Sequence, residues 1–153
     1  MLEAADDFVT TMTTARSDVG LAVFPTVIAA ISRRDGHVDP ERQEAAEGAF
    51  RIANAHWTEA DGHVPRITLL FGVGSGPAQA ARQASDTLGA SLVQLARVKA
   101  TAGYDGDDLG DLDDIIERCS VEADKAAQEL DEFSHAARKA IEGWYSRRVS
   151  SAR

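Results

Sequence analysis

A long run of regularly spaced apolar residues between Asp111 and Ser150 constrains the fold of this chain more than any other feature. Alternating steps of four and three residues separate its members, which are Leu112, Ile116, Cys119, Ala123, Ala126, Leu130, Phe133, Ala137, Ala140 and Trp144. This spacing places all of them along one side of an α-helix. At about 1.5 Å of rise per residue the helix is on the order of 57 Å long, so its apolar side needs neighbours of similar length.

Three further helices are predicted before this one, covering about residues 2–34, 40–71 and 78–103. Pro25 is expected to bend the first helix, because a proline inside a helix removes one backbone hydrogen bond. The second helix begins after Asp39, whose carboxylate is placed to accept hydrogen bonds from free amides. Pro65 lies inside the second helix, and we expect a kink there in preference to a break.

The sequence therefore predicts an all-α fold and a single domain over residues 1–153. Short connections favour antiparallel neighbours, so the expected architecture is an antiparallel, up-down-up-down four-helix bundle with a long C-terminal helix. Charge placement agrees with this pairing of the first and last helices. In an antiparallel arrangement of these two helices, the acidic Glu3, Asp6 and Asp7 are expected near Arg147 and Arg148. At the other end, Arg33 and Arg34 are expected near Asp111, Asp113 and Asp114.

The segment from Val19 to Ile31 is apolar on every face of the first helix. Such a segment is either the most enclosed part of a monomer or a surface covered by a second subunit. We expect an interaction surface here, formed by Val23, Phe24, Val27 and Ile28.

The net charge of the chain disfavours nucleic acid as a partner. The formal charge is -9, shared almost evenly between the two halves, and no basic stripe with interleaved aromatic residues is present. The longest apolar run is too short to span a bilayer and follows aspartates instead of the basic region of a signal peptide. The single cysteine, Cys119, lies on the apolar side of the last helix and is expected in the core. These features favour a protein of the cytoplasm that does not bind membranes.

Histidines and carboxylates provide an alternative hypothesis, a small-molecule- or metal-binding four-helix bundle. Glu132 and His135 have the spacing by which a carboxylate and an imidazole on one helix share a metal ion. His56 is expected at an inward or near-inward position of the second helix, where it would supply a further ligand, with His63 or Glu59 completing the set. Against this, Phe133 occupies the apolar side of its helix, so Glu132 and His135 flank the core.

Other patterns favour structural roles. Gly72-Val-Gly-Ser-Gly lacks the lysine of a P-loop and the strand of a dinucleotide site, so it is interpreted as a turn between helices. The aspartates between 105 and 114 do not follow the ligand order of an EF-hand and suit helix capping. No Ser/His/Asp or Cys/His arrangement is evident, and we expect no catalytic residue and no cofactor.

One short pattern points to secretion. Tyr104 and Asp108 are separated by three residues, and this Tyr-x-x-x-Asp pattern resembles the export signal of small helical type VII secretion substrates. The resemblance covers five residues, and the Trp-x-Gly turn that accompanies the signal in that class is missing, since Trp57 is followed by Thr58 and Glu59. A type VII secretion-like effector is therefore a third hypothesis.

Taken together, these patterns favour a non-enzymatic helical interaction protein, an adaptor or regulatory subunit. Its expected partner is a second copy of itself or a larger protein, because apolar surface is plentiful in the sequence and reactive groups are few.

Overall fold

The structure is a computed structural model that describes residues 1–101 and 112–151, with side chains described for residues 1–100 and 114–147. The described backbone is almost entirely helical and contains no strand, which confirms the predicted all-α class. Its helices are α1 (Leu2–Arg34), α2 (Pro40–Gly62), α3 (Val64–Phe71), α4 (Gly76–Thr101) and α5 (Leu112–Ser151).

Local sequence accounts for the helix ends. The Asp39 carboxylate accepts hydrogen bonds from the backbone amides of Glu41 and Arg42, and Pro40 occupies the first position of α2. At the end of α3, Gly72 adopts a φ of 96°, a conformation that side chains other than glycine rarely adopt. The Ser75 hydroxyl then accepts a bond from an amide in the first turn of α4.

The predicted second helix is interrupted at a single residue, His63, which keeps right-handed helical angles. Its amide donates to the carbonyl of Ala60 at 3.1 Å, and its carbonyl accepts from the amide of Ile67 at 3.0 Å. Hydrogen bonding therefore continues across the interruption. Pro65 explains the irregularity because it has no amide hydrogen to donate to the preceding turn.

Side-chain contacts connect neighbouring helices, and they follow opposite sequence orders between α1 and the α2–α3 segment and between α2 and α4. Along α1 and the α2–α3 segment these pairs are Asp7 with Arg66, Asp18 with His56, and Ser32 with Arg42. Between α1 and α5, Phe8 near the start of one contacts Phe133 in the second half of the other. Between α2 and α4, Trp57 contacts Ser85, and Glu47 pairs with Lys99. Between α4 and α5, the Ser91 hydroxyl donates to the Glu122 carboxylate at 2.8 Å.

The core lies between α1, α4 and α5 and is closed by α2 and α3. Its large, fully buried side chains are Phe8, Phe133, Met12, Ile67, Leu88, Leu95, Val19 and Val98. Alanines fill much of the remaining interior and allow the helices to approach closely. The rings of Phe8 and Phe133 meet edge to face with centroids 4.8 Å apart, an arrangement that aromatic pairs prefer.

One sequence expectation needs correction. Ile116, placed on the apolar side of α5, is exposed, while its neighbour Ile115 packs against the core. At the start of the chain, Asp7 lies 3.5 Å from Arg66 of α3, a pair that the sequence analysis did not predict. Arg147 donates to the carbonyl of Gly143 in its own helix, and Arg34 pairs with Asp35. Asp111 and the side chains of Asp113 and Arg148 lie outside the described residues.

Candidate interaction surface

The described chain has an exposed apolar area on α1 and α2. Leu21 and Phe24 on α1 are 69% and 72% exposed, and Ile52 on α2 is 51% exposed. Ile28, one turn beyond Phe24, is half-buried. We call these four residues, Leu21, Phe24, Ile28 and Ile52, the apolar outer face.

The contact between Asp18 and His56 places the two helices of this face side by side. The Asp18 carboxylate lies 2.5 Å from Nδ1 of His56. Leu21 follows Asp18 by three residues, and Ile52 precedes His56 by four, so each lies one helical turn beyond the contact. Because the two helices are paired in opposite sequence order, Leu21 and Ile52 are neighbours on the same side of the molecule.

Few charges accompany the apolar outer face, although the exposed Arg51 is next to Ile52 in α2. No charged residue occurs between Asp18 and Arg33 of α1. On α2, residues Ala45, Gly48, Ile52 and Ala55 follow one another at helical spacing and form an uncharged stripe. Contiguous exposed apolar surface on a folded protein is typical of an interaction site.

Gly20 leaves the helix backbone uncovered beside the exposed Phe24. It is exposed, and a β-carbon built on it meets no other atom within 4 Å. Phe24 lies one helical turn further along α1 and projects into solvent. The surface thus combines a projecting ring with an adjacent open space.

The structure divides the four residues predicted for this surface between the exterior and the core. Phe24 is exposed and Ile28 is half-buried on the outer face. Val27 is only 3% exposed, which corrects its assignment to the surface, and Val23 packs against the core cluster. Leu21 and Ile52 were missed. Leu21 shares the exposed side of α1 with Phe24 and Ile28, but only the pairing of α1 with α2 brings Ile52 beside them.

The predicted metal ligands are not brought together. His56 contacts Asp18 on α1, whereas Glu132 and His135 are exposed on α5, where Glu132 accepts a hydrogen bond from Gln128. The described part of the chain contains no group of three or more His, Cys, Asp or Glu residues that could hold a metal ion. Neither His63 nor Glu59 completes such a set.

The remaining motifs take structural positions or lie outside the described residues. Cys119 is buried, and burial raises the pKa of its thiol to about 11, with the Glu122 carboxylate adding to the effect. The glycine-rich segment forms the turn between α3 and α4, as predicted. The aspartates from 105 to 111 and the Tyr104–Asp108 pattern fall outside the described residues.

By length and composition, α1 is apolar enough to cross a membrane, and 39% of its most apolar 18-residue segment is buried inside the protein. Core helices of soluble proteins and signal sequences share this property. The expectation from sequence considered only the shorter uninterrupted run around Pro25.

Comparison with known proteins found no match to this chain among family models, curated proteins or solved structures.

Proposed function

We propose that this chain is a cytoplasmic, non-enzymatic interaction protein that pairs with a second copy of itself through the apolar outer face. The monomer in this proposal is an antiparallel, up-down-up-down four-helix bundle in which α2 and α3 together form the second helix. The exposure of Leu21 and Phe24 on α1 and of Ile52 on the neighbouring α2 is the observation that carries the proposal.

Charge permits a second copy as the partner. Two chains that each carry a net charge of -9 repel each other, so they associate most easily through surfaces with few charges. The part of the apolar outer face on α1 is such a surface, because the charged residues of α1 nearest to it in sequence are Asp18 and Arg33.

Shape supports the same partner. In a two-fold symmetric dimer the same surface is used twice, so it must be complementary to itself. A projecting Phe24 beside Gly20, which has no side chain, meets this requirement, since each ring can lie over the glycine of the other copy. Loss of water from both apolar surfaces then stabilises the pair.

The composition of α1 follows from this arrangement. Val19, Ala22 and Val27 serve the core, while Leu21 and Phe24 serve the second copy, so one helix needs apolar residues on two sides. This explains its resemblance to a membrane span without requiring a bilayer. In a vesicle flotation assay, the protein should therefore remain in the soluble fraction.

Light scattering coupled to gel filtration tests the proposal through two variants. The wild-type protein should have twice the mass of one chain at micromolar concentration, and Phe24→Asp should be monomeric because a charge is buried in the interface. Gly20→Leu should also be monomeric, since its side chain occupies the place over residue 20 where the ring of the second copy would lie. Its fold should be more stable by about 1 kcal/mol, because leucine favours the helix more than glycine does.

Matched controls separate the surface from general effects. Leu69→Asp introduces the same charge at a residue of α3 that is 86% exposed, and Gly143→Leu fills open space on α5. Both variants should remain dimeric. A monomeric wild-type protein, or dissociation by the controls as readily as by Phe24→Asp, would contradict self-association and leave a different protein as the partner.

A further inference from the structure

The two helices of the apolar outer face keep one register along their contact. The Asp18 carboxylate meets His56, and the Ser32 hydroxyl accepts a hydrogen bond from the Arg42 guanidinium at 3.1 Å. The same number of residues separates these two contacts on α1 and on α2, so each step forwards along α1 corresponds to one step backwards along α2. The height of a residue of α2 can therefore be compared directly with that of a residue of α1.

Ile52 lies at the height of the centre of the exposed surface of α1. It lies four residues from the first of these contacts on α2, and Ala22 lies four residues from it on α1, both towards the second contact. Ala22 is midway in sequence between Gly20 and Phe24. One height along the helix pair is thus the centre of the parts of the apolar outer face on both helices.

The shape of α1 favours one direction for a second copy. A two-fold axis along the helices would place equal residues opposite each other, so Phe24 would meet Phe24 and Gly20 would meet Gly20. An axis across the helices reverses the second α1, and Phe24 of each copy then lies over Gly20 of the other. The antiparallel direction therefore pairs the exposed ring with the residue that has no side chain.

The same axis gives Ile52 a partner. Rotation about an axis across the helices, in the plane of the contact, leaves α2 on the same side of α1, so α2 of one copy lies over α2 of the other. Ile52, at the height of the axis, then meets Ile52 of the second copy. With an axis along α1, the two α2 helices would be about 16–20 Å apart on opposite sides, and Ile52 would remain in water.

The charges at the ends of α1 agree with the antiparallel direction. Asp6 shares the exposed side of α1 with Phe24, since about five full turns separate them, and a parallel pair would place Asp6 beside its own counterpart. In the antiparallel pair, Asp6 lies about 24 Å and Arg34 about 18 Å from the axis in opposite directions, so Arg34 of one copy approaches Asp6 of the other. Asp35 pairs with Arg34 and weakens this attraction, so the main effect is that Asp6 avoids a like charge.

Two charged residues accompany Ile52 on the exposed surface of α2. Arg51 is its neighbour, and a long arginine side chain can extend past the edge of a contact and keep its charge in water. Glu59 lies two turns from Ile52 in one direction, and Ala45 lies two turns from it in the other. Antiparallel pairing therefore places Glu59 opposite an uncharged residue of the second copy.

We propose that two copies associate with α1 antiparallel to α1 and α2 antiparallel to α2, around a two-fold axis that crosses the helices at Ala22 and Ile52. This inference rests on the self-association proposed above and adds the direction and register of the second copy. Because one partner occupies the whole two-fold surface, association ends at a dimer.

Cysteine cross-linking in a Cys119→Ala background tests the direction. Ser17 and Ile28 lie on the exposed side of α1, about 8 Å and 9 Å from the proposed axis in opposite directions. Oxidation of a mixture of Ser17→Cys and Ile28→Cys should join the two variants. Each variant alone should form no such disulfide, because its two copies of the cysteine are about 15 Å or more apart, and a disulfide needs α-carbons within about 7 Å. Ile52→Cys alone should form a covalent dimer.

A matched control measures disulfides that form by chance collision. Leu69→Cys, at a residue of α3 that is 86% exposed, lies outside the contact, and the expected disulfides should form at least about tenfold faster than this one because the dimer holds the thiols together. Circular dichroism and light scattering before oxidation should show that each variant is folded and has the mass of two chains.

The two proposals fail in different ways. Faster cross-linking of Ser17→Cys alone than of the mixture, in protein with the mass of two chains, would overturn the antiparallel direction and leave self-association intact. A monomeric mass, with every disulfide forming at the rate of the Leu69→Cys control, would contradict self-association and the direction together.

Discussion

The indole of Trp57 on α2 lies directly against the backbone of Gly89 on α4. A β-carbon built at residue 89 would stand 2.9 Å from Cζ2 and 3.2 Å from Cε2 of Trp57. The ring is held in place, because its Nε1 donates a hydrogen bond of 3.0 Å to the carbonyl of Ser85. The Ser85 hydroxyl in turn donates to the Asp61 carboxylate at 2.7 Å, so these contacts fix the position of α2 against α4.

Gly89→Ala should therefore destabilise the protein, although alanine normally favours a helix over glycine. We expect a loss of about 1–3 kcal/mol in the free energy of unfolding measured with urea, because the rigid ring must move. In a Trp57→Leu background the same substitution should be neutral or stabilising. Gly143→Ala, in open space on α5, should stabilise the fold by up to about 1 kcal/mol. If Gly89→Ala lowers the free energy of unfolding by the same amount with Trp57 and with Trp57→Leu, the contact is contradicted.

The edge-to-face contact of Phe8 and Phe133 should appear as a coupling energy between α1 and α5. A double-mutant cycle with Phe8→Leu and Phe133→Leu should give about 0.5–1.5 kcal/mol beyond additivity, because each substitution alone removes the same ring contact. A second double-mutant cycle, which combines Phe8→Leu with Leu88→Val elsewhere in the core, serves as the reference. Strict additivity in the Phe8 and Phe133 cycle would show that the rings do not meet in solution.

Thr26→Val should stabilise the protein. Thr26 is fully buried in α1, and its hydroxyl has no hydrogen-bond partner among the residues that the structure describes. Removing an unpaired buried hydroxyl should raise the free energy of unfolding by about 1 kcal/mol. Thr11→Val is the matched control, because the Thr11 hydroxyl donates to the carbonyl of Asp7 at 2.9 Å. A loss of stability in both variants would indicate that the hydroxyl of Thr26 is paired.

Stability should fall at alkaline pH because of Cys119. Burial raises the pKa of this thiol from 9.0 to about 11. Below pH 9 the thiol is protonated in both the folded and the unfolded chain, and its contribution to the free energy of unfolding is fully present. Between these two values the unfolded chain loses the proton while the folded chain keeps it, so the contribution is lost as pH rises. Urea unfolding at pH 8 and pH 10.5 should show a larger loss for the wild-type protein than for Cys119→Ala. Equal losses would contradict a protonated buried thiol.

Helix positions were largely predictable because their signals are local. The first helix has the predicted bounds, Asp39 caps α2 as expected, and Phe133 and Cys119 are buried on the predicted side of α5. In each case the determining interaction is either within a few residues or is the periodicity of one helix. Charge pairing was less predictable, since ion pairs at the surface are weak and do not determine the packing of helices. The pair of Asp7 with Arg66 depends on how α1 and α3 are placed by the core.

The candidate interaction surface was predicted only in part. Periodicity and composition indicated that the segment around Pro25 carries more apolar surface than one face needs, but not which of its side chains the other helices cover. Rotation of α1 about its axis buries Val27 and exposes Phe24, and that rotation depends on all neighbouring helices at once. Ile52 joins the surface because α2 pairs with α1 at a particular register.

The sequence by itself determined an all-helical chain with a long last helix, because helix formation, capping and apolar periodicity act over short distances along the backbone. Only the tertiary structure decided that Trp57 lies on Gly89, that His56 meets Asp18 instead of the other predicted ligands, and that a groove remains between α1 and α5. Such contacts depend on the rotation and register of whole helices, which are set by the combined packing of many side chains.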